Sequence, residues 1–244
     1  MELWGKTDNG KVRKQNQDVF KILYDEDKNV AVLVVCDGMG GARAGNVASS
    51  LAAETFMHYI GKYIEDIGAP RDIALKIADA VLAANRAVYS KSVSDEIYYG
   101  MGTTLTAAIS TGGGEVVANI GDSRVYHITP GGITQVTKDH SVVEDMITRG
   151  DLTRAEARQH PNKHLITRAL GSISDERPDV FILNLESGEH ILLCSDGLSN
   201  VVMDNEILQE LQSGLSVREC CEKLVEKALA RGAPDNVTAV LFRK

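Results

Sequence analysis

Residues 32–41 read VLVVCDGMGG, and this stretch carries the strongest local pattern in the 244-residue chain. Its unbroken apolar run predicts a buried strand. The strand ends at Asp37, and the glycines that follow allow the backbone to turn sharply beside the carboxylate. Taken alone, Asp37 fits equally well as a turn or helix-cap residue.

The same layout recurs further along the chain. Residues 191–197 read ILLCSDG, so a second apolar strand ends at Asp196. Asp235 stands between the last predicted helix and the last predicted strand, and Asp122 follows another predicted strand. Taken singly, Asp122 and Asp235 are ordinary turn residues. Together with Asp37, however, all of them lie at strand ends, where a sheet can collect them on one rim.

Several carboxylates at one place cannot all stay ionised without a compensating positive charge. Hard divalent cations supply that charge, and ligation by oxygen alone favours Mg²⁺ or Mn²⁺ over zinc. None of the six histidines falls within the four aspartate motifs. The sequence therefore predicts a centre that binds Mn²⁺ or Mg²⁺.

The surrounding sequence predicts an α+β fold. Helical periodicity is found over 44–64 and 71–89, and a third helix opens with a capping box at Ser216 and stops at Gly232. The remaining pattern is strands joined by glycine-rich turns, which favour antiparallel pairing. We expect one domain over 1–244, with two antiparallel sheets covered by helices. The predicted strands are 2–7, 18–24, 29–36, 102–111, 114–120, 123–129, 132–137, 179–185, 189–195 and 237–243.

One segment departs from this pattern. Residues 140–171 are polar and contain a second capping box, in which Thr153 precedes Glu156 by three positions. We expect this segment to form a helical excursion from the sheets.

Composition excludes several classes of partner. A net charge of −8 argues against nucleic acid, which needs clustered Lys and Arg. The longest apolar run, 30–36, is too short to cross a bilayer, and the first residues lack the layout of a secretion signal. We therefore expect a cytoplasmic protein without membrane insertion. The four cysteines lack zinc or disulfide-scaffold spacing and are expected to be reduced and buried.

Other phosphate chemistries fail on spacing. The glycines after Asp37 match neither a dinucleotide fingerprint nor a P-loop, because Arg43 stands where the fingerprint needs its third glycine and no Gly-Lys-Ser/Thr follows. A cysteine phosphatase needs an arginine six residues after its nucleophile, and neither Cys36 nor Cys194 has one. Arg13 has the forked donor geometry that phosphate oxygens accept in pairs, although an isolated arginine is usually a solvated surface charge.

At this point the sequence resembles the metal-dependent protein serine/threonine phosphatases of type 2C, in particular the bacterial branch. The resemblance runs over almost the whole chain, in the order of the family. Its motifs are RKQNQD at 13–18, DGMGG at 37–41, GTT at 102–104, GDSR at 121–124, DGL at 196–198 and DNVT at 235–238.

The resemblance implies a four-layer α-β-β-α sandwich with a binuclear metal centre at one end of the sheets and a small flap over 140–171. Asp37 would bridge both cations, with the Gly38 carbonyl on one of them, and Asp196 and Asp235 would complete the other. Asp122, together with Asp196, would hold a third ion.

The resemblance also assigns residues around the cations. Asp18 would act through metal-bound water, and Arg13 would bind the substrate phosphate. Eukaryotic members carry a histidine where this chain has Met39, and some bacterial members carry one where it has Ala42. This chain has neither, so a histidine general acid is not expected here. His140, His160 and His164 are expected to be surface or capping residues.

The implied reaction is hydrolysis of phosphoserine and phosphothreonine in proteins. A hydroxide that bridges two cations would attack phosphorus in line, without a phosphoenzyme. The implied partners are phosphorylated proteins and an opposing serine/threonine kinase. Two alternatives stay open, a catalytically silent module that binds phosphoprotein or metal, and a phosphatase of small molecules.

Overall fold

A computed structural model describes residues 1–63 and 69–244 and, of 41–43, the backbone. Its strands carry the expected antiparallel pattern. They are β1 Glu2–Asp8, β2 Asp18–Asp25, β3 Val30–Met39, β4 Gly102–Thr103, β5 Leu105–Thr111, β6 Gly114–Ile120, β7 Arg124–Thr129, β8 Gly132–Gln135, β9 Asp179–Leu183, β10 His190–Cys194 and β11 Val237–Arg243.

The strands form two sheets, and every pairing in them is antiparallel. The first sheet has the order β1-β11-β10-β7-β8 and the second β2-β3-β5-β6-β9, with the short β4 paired to β3. Consecutive hairpins such as β5-β6 and β7-β8 are joined by the glycine-rich turns that the sequence predicts.

Helices lie on the outer faces of the two sheets and in the segment 140–171. They are α1 Gly41–Gly61, α2 Pro70–Ser94, α3 Val142–Arg149, α4 Arg154–Gln159, α5 Asp196–Ser199, α6 Asp204–Leu211 and α7 Val217–Ala230. Helices α1 and α2 pack on the second sheet, and α7 packs on the first. The predicted four-layer α-β-β-α sandwich is therefore confirmed.

Strand β3 shows why its apolar run is continuous. Val32, Val34 and Cys36 point into the core under α1 and α2. The alternate residues Leu33 and Val35 point into the core between the two sheets. Because a strand sends successive side chains to opposite faces, a strand in an inner layer must be apolar at every position.

The predicted helices and strands need modest corrections. Helix α1 begins earlier than predicted, and the last residue assigned to it from sequence, 64, lies outside the described residues. The strand predicted over 102–111 is interrupted at Thr104, whose amide donates instead to the Asp37 carbonyl at 2.9 Å. Helices α5 and α6 were not predicted, because segments of four and eight residues are too short for a clear periodicity.

The segment 140–171 contains α3 and α4. The predicted capping box is present, since Thr153 and Glu156 bond reciprocally at the start of α4. Both ends of the segment are tied down by bridges, between Ser141 and Ile166 and between Thr103 and Leu170. Across the described parts of the chain, no helix combines the length and apolar character needed to span a bilayer.

Candidate metal centre

The predicted site residues converge on one cavity of about 900 Å³ at an end of the sandwich. Its lining includes Asp37 from the end of β3, Asp122 from the turn after β6, Asp196 from the start of α5 and Asp235 from the approach to β11. Gly38 and Arg13 line it as well. The sheet pairing places Asp18 directly opposite Asp37.

The glycine after Asp37 and the glycine after Asp196 are each required by a close approach of another part of the backbone. A methyl group at Gly38 would lie 2.1 Å from the carbonyl oxygen of Gly45, and one at Gly197 would lie 1.9 Å from the carbonyl oxygen of Asn236. The turn predicted directly after Asp37 is wrong, because β3 continues through Gly38 to Met39 and pairs there with β4. Both glycines instead let a neighbouring backbone segment pack against the residue that follows the carboxylate. The carboxylates therefore face the cavity while their strands stay buried.

Thr104 connects two of the carboxylate turns. Its hydroxyl accepts the Asp37 amide at 2.9 Å and bonds the Ser123 hydroxyl at 2.8 Å. Ser123 directly follows Asp122, so this one side chain sets the spacing between two candidate ligands. Thr104 belongs to a motif quoted above for the resemblance, but its role could not be read from the sequence.

Asp18 lies in the interior beneath the cavity and is 5% exposed. The hydroxyls of Ser195 and Thr238 donate to its Oδ2 at 2.7 and 2.6 Å. Its Oδ1 is buried and has no hydrogen-bond partner among the described residues. Burial raises the pKa of Asp18 to about 7, against the effect of the two hydroxyl donors.

Asp196 is held in a similar way. Its Oδ2 accepts the side-chain amide of Asn200 at 2.9 Å, one turn further along the chain. Its Oδ1 is buried and finds no donor in the described part of the protein. A buried carboxylate oxygen without a donor is costly, and a cation is the partner that would satisfy it.

The electrostatics of the cavity call for positive charge. Burial raises the pKa of Asp37 well above its usual range, and the neighbouring charges of Asp18 and Asp196 raise it further. Burial and the charge of Asp196 also raise the pKa of Asp122. Packing these acids together without a cation therefore opposes their ionisation.

The donor set fits hard cations that keep much of their water. Within residues 1–63 and 69–244, no three His, Cys, Asp or Glu side chains come together closely enough to enclose one ion by themselves. Mg²⁺ is usually held by one or two carboxylates with several waters retained, and such a site needs no complete protein cage. The carboxylate oxygens that lack donors meet this requirement.

Arg13 lies in the cavity but does not point freely into it. Its Nη2 donates to Oδ2 of Asp235 at 2.7 Å, while Oδ1 of Asp235 accepts the Asn236 amide at 2.8 Å. The hydrogen bond and the charge of Asp235 raise the pKa of Arg13 above its already high usual value. The predicted phosphate ligand is thus paired with a predicted metal ligand, and the two roles compete.

Asn236 positions the loop that carries Arg13. Its side-chain oxygen accepts the Gln17 amide at 2.8 Å, and its Nδ2 donates to the carbonyls of Asn9 and Gln15, both at 2.9 Å. The residue is 4% exposed. The sequence did not predict this role of Asn236, because its contacts join residues more than 200 positions apart.

The histidine expectations are only partly right. His160 caps its own turn by accepting the Asn162 amide at 3.2 Å. His164 is exposed, but it lines the cavity with its Nδ1 3.9 Å from Oδ2 of Asp196. His140 is only 8% exposed, so its interpretation as a surface or capping residue is wrong. The cysteine expectation holds, since Cys36, Cys194, Cys220 and Cys221 are all buried free thiols.

Comparison with known proteins gives consistent matches. A family model described as protein phosphatase 2C matches residues 8–241. The serine/threonine phosphatase stp of Listeria monocytogenes is 34% identical over 239 residues, 98% of this chain and 94% of that protein.

Solved structures agree with this match. Serine/threonine phosphatase Stp1 from Staphylococcus aureus superposes with a TM-score of 0.93 at 34% identity, covering 100% of this chain and 94% of the other. The catalytic domain of PstP in complex with 2 manganese ions gives 0.84 at 36% identity, with 98% and 96% covered. Because the matched region contains the whole carboxylate cluster, from Asp18 to Asp235, this chain belongs to the protein phosphatase 2C family of metal-dependent protein phosphatases.

Proposed function

We propose that this phosphatase hydrolyses phosphoserine and phosphothreonine in proteins by direct in-line attack of water, without a phosphoenzyme. Asp37, the Gly38 carbonyl, Asp196 and Asp235 would hold two Mn²⁺ or Mg²⁺ ions. The observation that carries the proposal is the buried Oδ1 of Asp196. It has no hydrogen-bond donor among the described residues, and it lies in a cluster of other acids. Cations of this kind activate water and neutralise phosphoryl charge.

Neither the cysteines of the two Asp-Gly strands nor Ser195 is available as a nucleophile. Cys36 and Cys194 are fully buried, and burial raises the pKa of Cys194 to about 12, so neither supplies a thiolate at neutral pH. Ser195 is buried and its hydroxyl already donates to Asp18. These contacts favour water over either cysteine or Ser195 as the attacking group.

The remaining roles follow from the contacts. Asn200 orients Asp196 through a hydrogen bond. Ser195 and Thr238 orient Asp18, which lies beneath the cavity. Arg13 would bind the phosphate through two parallel donors once Asp235 is engaged by a cation.

Asp122 and Asp196 would hold a third ion. Both line the cavity, and the charge of Asp196 contributes to the raised pKa of Asp122. We assign Asp122 to this site alone, so Asp122→Ala should spare the binuclear pair.

Residues 1–244 would act as one domain, in which the segment 140–171 is a flap beside the substrate. Lys163, His164 and Ile166 from this segment line the cavity that contains the carboxylates. The flap would therefore contact the polypeptide on either side of the phosphoresidue.

We further propose that the protein works in the cytoplasm and opposes a serine/threonine kinase. Its four unpaired, buried cysteines fit a reducing compartment. A signalling role follows from the proposed substrate, since a phosphorylated serine or threonine in a protein is the product of a kinase.

Phosphopeptides test the substrate assignment. With Mn²⁺ present, the enzyme should release phosphate from phosphoserine and phosphothreonine peptides, and whole phosphoproteins should compete better than free phosphoserine. A silent binding module would release nothing from an aryl phosphate. A small-molecule phosphatase would instead prefer the free phosphoamino acid.

Arg13→Ala tests the phosphate ligand. Loss of a charge-assisted pair costs about 1.5–3 kcal/mol, so kcat/KM should fall about ten- to a hundredfold. Lys at position 13 should restore only part of this loss, because it lacks the fork. Mn²⁺ affinity, measured by calorimetry, should be no weaker than in the wild type, since Asp235 has lost its competing partner. Wild-type kinetics would remove Arg13 from the site.

A further inference from the structure

His140 is buried at the point where the segment 140–171 leaves the sheets, and it has no part in the proposed reaction. It is 8% exposed. Both its backbone and its ring bond to other parts of the chain. These contacts lead to the turn that carries Asp122.

The ring and the backbone of His140 bond the two backbone polar groups of Gly121. The Gly121 amide donates to Nδ1 of His140 at 3.1 Å, and the His140 amide donates to the Gly121 carbonyl at 3.0 Å. A backbone amide can only donate, so Nδ1 must be the unprotonated nitrogen of the neutral ring.

Gly121 has little freedom to move away from these two hydrogen bonds with His140. Its φ is +107°, a left-handed conformation that favours glycine, and a methyl group there would lie 2.5 Å from Cγ2 of Thr104. Thr104 in turn bonds the Asp37 amide. The turn before Asp122 is thus fixed between His140 and the strand end that carries Asp37.

The other ring nitrogen leads to the far end of the segment. With Nδ1 accepting, Nε2 carries the proton and donates to Oδ2 of Asp179 at 3.1 Å. Nη1 of Arg168 also lies 2.9 Å from Nε2, but it cannot accept that proton and donates to Oδ1 of Asp179 at 2.9 Å. The His140 carbonyl also accepts the Thr167 amide at 2.8 Å. His140 therefore connects the start of the segment, its end and the Asp122 turn.

We propose that His140 is a positioning residue, which fixes the Gly121 peptide through Nδ1 and thereby keeps the Asp122 carboxylate beside Asp196. This inference rests on the third-cation site proposed above. Nδ1 serves the carboxylate turn, whereas Nε2 anchors the ring to the segment 140–171. The two nitrogens can be tested separately, because Asn places an acceptor near Nδ1 and Gln places its amide near Nε2.

The test compares His140→Asn, His140→Gln and the control His160→Asn, whose ring accepts only its near neighbour's amide among the contacts described. Calorimetric titration with Mn²⁺ should show that the weakest of the three sites binds about tenfold less tightly in His140→Gln. The reason is that the buried Gly121 amide is left without an acceptor. His140→Asn and the control should keep wild-type affinity. The kcat should fall in His140→Gln at unchanged KM.

Amide exchange of Gly121, followed by NMR without metal, provides a second readout. We expect slow exchange in the wild type and in His140→Asn, and fast exchange in His140→Gln. Equal weakening by Asn and Gln would reduce His140 to a packing residue and overturn the proposal, as would unchanged exchange in both. If the wild type binds only two Mn²⁺ yet hydrolyses phosphopeptides, the link to a third cation fails while the proposed function stands.

Discussion

Removing divalent cations should abolish phosphopeptide hydrolysis, and adding Mn²⁺ or Mg²⁺ back should restore it. The buried Oδ1 of Asp196 finds no donor in the described residues, and no thiolate is available as an alternative nucleophile. Loss of the cations removes several kcal/mol of transition-state stabilisation, equivalent to at least about a thousandfold in rate. Undiminished turnover in thoroughly metal-free buffer would exclude the mechanism.

The stability of the metal-free protein should decrease as the pH rises towards 7. The pKa of Asp18 is raised by burial from 3.8 to about 7, so the folded state binds more protons than the unfolded chain between those values. Stability is then highest below about pH 4 for this group and declines as the pH rises through 7. Bound Mn²⁺ should flatten the decline, because it neutralises the ionised acids.

Thermal melts between pH 5 and pH 8, in chelator and in Mn²⁺, measure this difference. The matched control is Asp18→Asn, which keeps the shape of the side chain and cannot ionise. Its metal-free form should lose a large part of the pH dependence. A wild-type melting temperature that rises with pH in chelator would contradict the assigned direction.

Asp37→Asn should have the largest effect of any single substitution. Asp37 lies near the end of β3, opposite Asp18, and the charges of four other acids raise the pKa of its carboxyl group. An amide of the same shape cannot neutralise two cations, so turnover should fall at least about a thousandfold.

The fold of the Asp37→Asn variant should survive, because removal of a crowded negative charge relieves repulsion in the metal-free state. Calorimetry should show weakened Mn²⁺ binding, and the metal-free melting temperature should equal or exceed that of the wild type. Asp151→Asn, an exposed acid within 140–171, is the matched control and should change neither quantity. Activity of Asp37→Asn within tenfold of the wild type would remove Asp37 from the centre.

The sequence was informative where a single local pattern determines the outcome. A continuous apolar run predicted β3, because a strand buried on two faces is apolar at every position. The sharp turn expected after Asp37 is absent, since pairing with the distant β4 extends the strand to Met39. The capping boxes at Thr153 and Ser216 were also correct, since they depend on residues three positions apart.

Contacts between distant parts of the chain could not be predicted in this way. Asn236 bonds the loop near Gln15 over 221 positions, and Ser195 bonds Asp18 over 177. His140 was misjudged because a polar neighbourhood in sequence suggests solvent, whereas its ring is covered by the packing of the sheets and Arg168. The pairing of Arg13 with Asp235 was likewise invisible, since each residue alone matched a separate role.

The carboxylates come from both sheets, with Asp18 and Asp37 on one and Asp196 and Asp235 leading out of or into strands of the other. A cation held between them joins the two halves of the sandwich much as a crosslink does. Leu33 and Val240, which fill the space between the sheets, would therefore also set the distance between the carboxylates that hold the proposed ion. A substitution at Leu33 or Val240 that the fold tolerates would therefore still change the spacing of the carboxylates and weaken the proposed cation binding.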